Sequence, residues 1–337
     1  MDAKMDRQQK RVYRQGHRPR RKIKWRNVLI LALALIFAVS LIHLLSYAAD
    51  YFSARRTEKE LREIYYAYAE RETPVGYPQS PTPSPAPVSP SPSPSVTQAP
   101  TVPPLSLVTA VPAPELTGQL PALQYPTNAH TLVSSRFQKI RRQNEDIIGW
   151  LTIPDLLDQA VVQRDNSYYL RRDYRGYHNA NGAIFLDESC ELKTRPYTLI
   201  LYGHNMKTGA MFGCLRNYES LYFYQQNPFI TFDTAYEDGK YVIFAVATVS
   251  LEQYDRQFLH FAKLNSDWVS WRQEELDRLL KQSIFTNRLD IRPDDQLLLL
   301  VTCVEDDAER RVVAARRIRE GESAYDLQAL VNKSKRK

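Results

Sequence analysis

The sequence predicts a mostly β domain, a largely antiparallel barrel or sandwich, preceded by an N-terminal transmembrane helix. Three observations lead there. Eight short runs rich in β-branched and aromatic residues follow one another between positions 150 and 318, separated by turn-forming residues. A stretch of 22 residues, 28–49, carries no formal charge. Sixteen of the 21 prolines crowd between Pro74 and Pro126, which leaves roughly 210 residues to build one core, enough for a domain that needs no covalent staples.

The chain begins with a basic tail. Residues 1–27 hold eleven Lys/Arg against Asp2 and Asp6, a net of +9, while the remaining 34 basic and 36 acidic residues leave a net of −2. The overall charge of +7 is therefore a property of the tail, and no nucleic-acid-binding face follows from it. The uncharged stretch 28–49 comes next. At 1.5 Å per residue it makes about 33 Å of helix, enough for a hydrocarbon core of about 30 Å. It is longer than the apolar region of a secretory signal peptide, so an uncleaved anchor is expected. Eleven basic residues precede the span, and four (Arg55, Arg56, Lys59, Arg62) follow it closely. The positive-inside rule then keeps the tail in the cytoplasm and puts everything beyond about residue 50 outside the cell. Three cysteines, Cys190, Cys214 and Cys303, complete the count. An odd number outside the cell requires a free thiol or an intermolecular bond.

Residues 50–72 are charged, lack Pro until position 74, and read as a helical stalk leaving the membrane. Residues 73–126 form a Pro/Ser-rich linker, typified by SPTPSPAPVSPSPSPS. Such a composition favours extended polyproline II and reads as a semi-stiff spacer or as plain low complexity. The globular domain is expected over 127–325, with a basic C-terminal tail at 326–337. A helix starting after Ser134 opens the domain, with Gly149 as its stop. Strands are expected at 150–153, 160–163, 183–186, 197–202, 229–232, 241–250, 296–302 and 311–318. Two later helices are expected, a short one near 210–224 and another over 266–282, whose Trp268, Trp271, Leu276, Leu279 and Leu280 form an apolar stripe read as core.

The chemistry concentrates at two strand ends. LLLLVTC (297–303) is an apolar run fit for a strand buried on both faces, ending in Cys303. A loop and the run RRVVAARRI follow, so a hairpin would set Cys303 across from Arg310 or Arg311. A thiolate that attacks a carbonyl generates an oxyanion, and a fixed guanidinium would stabilise it. Taken alone, the same residues also fit a buried structural cysteine beside a solvent-facing arginine. TLILYGHNM (198–206) is a second apolar run, and it ends in Gly203-His204. A cysteine needs a partner base or cation to be nucleophilic near neutral pH, and histidine is the usual one. If the two strands lie side by side and run the same way, His204 and Cys303 emerge at one edge. Strand alternation puts Arg310 and Arg311 on opposite faces and does not choose between them. His130, His178 and His260 sit in polar or turn-like contexts without an assigned role.

From residue 144 to 316 the chain resembles a class B sortase. The resemblance rests on NEDIIGWLTIP, VVQRDNSYYL, GAIFLD, LYGHNM, GAMFG, and TC followed by an arginine opening the next strand, all in the family's order. It implies an eight-stranded sortase-type barrel with peripheral helices, with His204 and Cys303 as the catalytic pair on neighbouring parallel strands. It also implies that Arg310 supports the acyl-enzyme chemistry, because Arg310, Val312-Val313 and Arg316 fit the family's register. Helix 266–282 would be the extra helix of class B members. Three positions depart from the family pattern: Val304-Glu305 follow the cysteine, Arg311 replaces an apolar residue, and Cys214 stands where a non-cysteine is expected. Cys214 is left open as paired with Cys190, free or buried.

The implied activity is that of a membrane-anchored cysteine transpeptidase without cofactors or metal. It would cut a C-terminal sorting motif of a surface protein after threonine. The acyl group would pass to a peptidoglycan-precursor or pilin amine. Two alternatives remain at this point: a secreted cysteine hydrolase using the same Cys–His pair, and a non-catalytic cell-wall-binding scaffold.

Overall fold

A computed structural model describes residues 25–69, 118–252, 254–256, 258–303 and 309–337. The chain divides into two compact units, Met1–Arg56 and Thr57–Lys337. In the first, helix α1 (Trp25–Ala69) begins, and its part Trp25–Ser46 is long and apolar enough to cross a membrane. The expected basic tail lies outside the described residues up to position 24, as does the expected Pro/Ser-rich linker (73–126) up to position 117.

The second unit contains the eight expected strands. In chain order they are β1 (Ile147–Ile153), β2 (Leu157–Val162), β3 (Ile184–Leu186), β4 (Thr198–His204), β5 (Phe229–Thr234), β6 (Lys240–Ser250), β8 (Leu297–Cys303) and β9 (Glu309–Arg317), with the two-residue β7 (Phe285–Thr286) before β8. The eight close into a barrel of order β1-β2-β3-β4-β8-β9-β6-β5. Closure leaves no unpaired strand edge. Leu297 to Val301 of β8 are wholly buried, as are Val312 to Ala315 of β9, which is why both strands read as unbroken apolar runs rather than alternating ones. β4 and β8 are parallel neighbours. A parallel pair needs a long crossover, and here it contains β5, β6 and the helix Val269–Gln282.

Several local features differ from expectation. The opening helix α2 (Ser135–Ile140) ends early, and its N-cap Ser134 makes no side-chain capping bond. Gly149 is no helix stop. It lies inside β1 at a register shift against β2, where a Cβ would come within 2.4 Å of the Phe232 ring, so a close strand–ring approach selects glycine. The short helix near 210–224 splits into a 3-10 segment, Phe212–Glu219, and α3 (Leu221–Gln226), with the Ser220 hydroxyl accepting from the Phe223 N–H. A further turn of helix, α4 (Phe261–Leu264), precedes α5 (Val269–Gln282).

The apolar stripe expected on α5 is only half right. Leu276 and Leu279 are buried, but Trp268 and Trp271 are 44% and 48% exposed, and Arg272 and Glu275 are buried in their place. The helix covers loop carbonyls near the start of β4. Arg272 donates to the carbonyls of Leu264, Pro293 and Asp295 and to the Thr198 hydroxyl. Glu275 accepts from the His260 N–H at 3.0 Å. Buried carbonyls require donors, so this face of the helix is polar.

Both flanks of the linker belong to the folded unit. Leu61 and Tyr65 of α1 are buried with Phe137, Ile140 and Trp150. Tyr65 stacks on Trp150 at 4.3 Å between ring centroids and donates to Asp233 at 2.7 Å. The end of the expected linker is part of the fold and not of the spacer: Leu120 and Tyr125 are buried, and Gln119 bridges to Trp268, so the domain begins before residue 127. Leu61→Ala is expected to destabilise this unit by about 2–5 kcal/mol, the range for deleting a buried leucine side chain, measured by urea unfolding of the full-length chain in micelles. At the other end, residues 326–337 are more than a tail. Helix α6 (Ala324–Val331) buries Leu327 and Val331, and β10 (Lys335–Arg336) pairs with β7. Two apolar side chains four positions apart seat this helix, and the basic run that follows it, Lys333 to Lys337, obscures them.

Candidate active site

The site is built by strand register. β4 and β8 run in step from Thr198↔Leu297 to His204↔Cys303. Cys303 thus neighbours His204 at the end of the parallel ladder, although the two are far apart in sequence. β8 and β9 are antiparallel, with Val301 opposite Val312. Continuing that register by two residues sets position 303 opposite position 310, and position 302 opposite 311. The Arg311 N–H donates to the Thr302 hydroxyl at 3.1 Å, in keeping with that continuation. On its other side Arg310 pairs with Val249 of β6. His204 and Cys303 are therefore partners across β4 and β8, and Arg310 stands where the β8–β9 register, continued past its last pair Val301↔Val312, would meet position 303.

The two candidate arginines differ in surroundings. Both are half-buried. The Arg311 guanidinium makes an ion pair with Glu219, at the end of the 3-10 segment. Arg310 donates to the Glu309 carbonyl at 2.9 Å. Register and pairing separate side chains that alternation alone left equivalent.

His204 is half-buried, and its Nε2 lies 2.6 Å from the carbonyl oxygen of Leu170. That carbonyl belongs to a 3-10 turn, Tyr168–Arg171, within the VVQRDNSYYL segment. Asp165 organises the turn by accepting from the Ser167 and Tyr168 N–H groups and the Ser167 hydroxyl. Sequence reasoning did not connect this turn with His204. A backbone carbonyl leaves no residue-type signal, and the only hint was the recurrence of the segment as a family motif.

The other two cysteines sit elsewhere. Cys190 and Cys214 are both buried and free. The Cys190 thiol donates to the Thr198 carbonyl and the Cys214 thiol to the Met211 carbonyl. Burial disfavours the thiolate. It pushes Cys190 up to about 12 and Cys214 up to about 11, so neither is an activated nucleophile. The expected alkylation stoichiometry with iodoacetamide at pH 8 is one label per folded chain, on Cys303, rising to three on denaturation. Mass spectrometry of labelled peptides checks both the count and the position.

Comparison with known proteins gives the family. The sortase domain model matches residues 151–318. Sortase B of Staphylococcus aureus is 30% identical over 193 residues, which cover 55% of this chain and 75% of that protein. Sortase B of Listeria monocytogenes is 29% identical over 187 residues, covering 55% of this chain and 74% of that protein. The crystal structure of sortase B from B. anthracis in complex with AAEK2 superposes with a TM-score of 0.51 at 27% identity, covering 59% of this chain and 89% of that one. A closed eight-stranded barrel with a histidine and a cysteine ending two parallel strands, joined to these relationships, makes the chain a member of the sortase B family of cysteine transpeptidases.

Proposed function

We propose that this chain is anchored in the cell membrane by the span within α1, with its N-terminus cytoplasmic and its barrel outside, and that it joins surface proteins to an extracellular amine. Sortases act on sorting-signal substrates and amine acceptors. The Cys303 thiolate attacks the carbonyl carbon of a threonine in the sorting motif, forming a C–S bond, and Arg310 stabilises the oxyanion. The C–N bond then breaks, and His204 as imidazolium gives its proton to the leaving amine. An acceptor amine from a peptidoglycan precursor or pilin attacks the thioester, returns a proton to His204 and releases the thiolate. A fixed donor aimed at the developing charge is the largest single contribution expected in such a site.

The observation that carries this reading is the pairing of His204 with Cys303 at the ends of the parallel strands β4 and β8. The decisive experiment incubates the full-length chain in micelles with a library of sorting peptides, with and without an added amine. Intact mass should reveal a thioacyl adduct on Cys303 that the amine resolves into a transpeptidation product. Equal release of free acid in both arms would point to a hydrolase. No adduct and no selective labelling of Cys303 would leave a scaffold.

The anchor has its own test. Protease added to intact protoplasts should remove the barrel and spare the basic tail. A soluble form beginning near residue 50 would show a cleaved signal instead. Because residues 57–69 and 118–126 both belong to the folded unit, the Pro/Ser-rich segment is not needed to connect the anchor helix to the barrel. Deleting 73–117 is expected to leave turnover of soluble peptides within about twofold.

A further inference from the structure

The two motifs that open the domain, NEDIIGWLTIP and VVQRDNSYYL, contain no group that takes part in the chemistry proposed above, yet they meet beside His204. The Tyr169 hydroxyl, from the second motif, is buried between two side chains of the first. It donates to Asp146 at 2.7 Å and accepts from the Asn144 amide at 2.7 Å. Asn144 also donates to the Tyr174 carbonyl, and its own carbonyl accepts from the Asp146 N–H at 3.0 Å. The bracket therefore grips the 3-10 turn at the residue before Leu170. From the far side the turn is held by the backbone at 182–183. The Ala183 N–H donates to the Tyr169 carbonyl at 3.0 Å. Gly182, with φ +62°, lies so close that a Cβ there would come within 2.6 Å of the Leu170 carbonyl oxygen. The Leu170 carbonyl faces His204 Nε2 at 2.6 Å.

A carbonyl oxygen only accepts hydrogen bonds, so a 2.6 Å contact requires a proton on Nε2. We infer that Asn144, Asp146, Tyr169 and Gly182 are positioning residues that set the Leu170 carbonyl, which holds His204 by its Nε2–H and makes Nδ1 the nitrogen that exchanges a proton with the leaving and attacking amines. The inference rests on the reading of His204 as the general acid. The catalytic gain is geometric. An imidazole pinned at one nitrogen presents the other along a fixed direction, and a misplacement of about 1 Å can cost roughly 10²-fold in rate.

The test uses the full-length chain in micelles, labelled with ¹⁵N-histidine, with His204→Asn assigning the His204 signals. In the wild type, the ring correlation pattern at high pH should be that of the Nε2–H tautomer. Tyr169→Phe removes one oxygen and leaves Asn144 and Asp146 facing an apolar ring edge. Gly182→Ala forces the Leu170 carbonyl to move. Both should mix the tautomers and lower kcat by about tenfold to hundredfold, with KM within twofold. If Gly182→Ala fails to fold, Tyr169→Phe alone carries the test. An Nδ1–H tautomer in the wild type would overturn the inference. So would an unchanged tautomer pattern in the folded variants, whatever the rate, since a loss without that signature would arise elsewhere. Full turnover by His204→Asn would instead sink the general-acid assignment, while the tautomer pattern would still judge the bracket.

Discussion

Cys303→Ala is expected to abolish both peptide cleavage and thioacyl adduct formation, with a fall in kcat of about 10⁶-fold, the scale of loss when a covalent nucleophile is removed. The fold should survive, because the five residues that precede Thr302 in β8 are wholly buried leucines and valine that the substitution does not touch. Cys190→Ala and Cys214→Ala serve as internal controls. Each deletes a buried thiol that donates to a nearby carbonyl, so each should cost some stability while leaving turnover within a few-fold of wild type. The measurements are steady-state transpeptidation of a cognate peptide and intact mass after mixing, with folding followed by circular dichroism. A dead but folded Cys214→Ala beside an active Cys303→Ala would reverse the assignment of the nucleophile.

Arg310→Lys is expected to lower the transpeptidation rate by about 10²–10³, the cost of losing one oxyanion donor, while Cys303 remains alkylatable. Lysine keeps the charge but replaces a planar fork of donors by a flexible ammonium. Arg311→Lys should stay within several-fold of wild type. Its guanidinium is committed to Glu219, and an ion pair this exposed contributes little. The comparison is sharp because the residues are adjacent and chemically identical, so only strand register and the Glu219 ion pair distinguish them. A one-residue slip would exchange their faces. The reverse ranking of rates would show that Arg311 is the oxyanion donor.

The two arginines illustrate how far the sequence reaches. Alternation along RRVVAARRI put them on opposite faces without saying which face mattered, because both series begin with arginine. Only the resemblance chose. The pairing of Val301 with Val312 supplies the missing physical criterion, and it is a contact between strands that no single segment encodes. The α5 helix shows a different limit. Its stripe of tryptophans and leucines was legible, but its buried face is set by Arg272 and Glu275, which answer carbonyls and N–H groups contributed by other segments. A periodicity argument scores apolar residues and cannot see a polar partner waiting across an interface. The reading of 326–337 as a tail erred for a related reason, and the stalk expected over 50–72 is helical to Ala69 but with packing that its sequence did not reveal. Leu61, Tyr65, Leu327 and Val331 are a few apolar residues in charged surroundings, and their burial depends on a barrel surface built by the rest of the chain.

What the sequence by itself determined is local: a 22-residue uncharged span, eight runs able to pair as strands, and two of those runs ending in histidine and cysteine. These follow from side-chain hydrophobicity and backbone preference over a few consecutive residues. What only the tertiary structure decided is which segments become neighbours. Barrel closure brings β4 and β8 into parallel register, pairs His204 with Cys303, and carries the Leu170 carbonyl to His204. Each of these is a long-range contact whose entropic cost is met by burying the whole core at once, and so none could be assigned from the pattern of one segment.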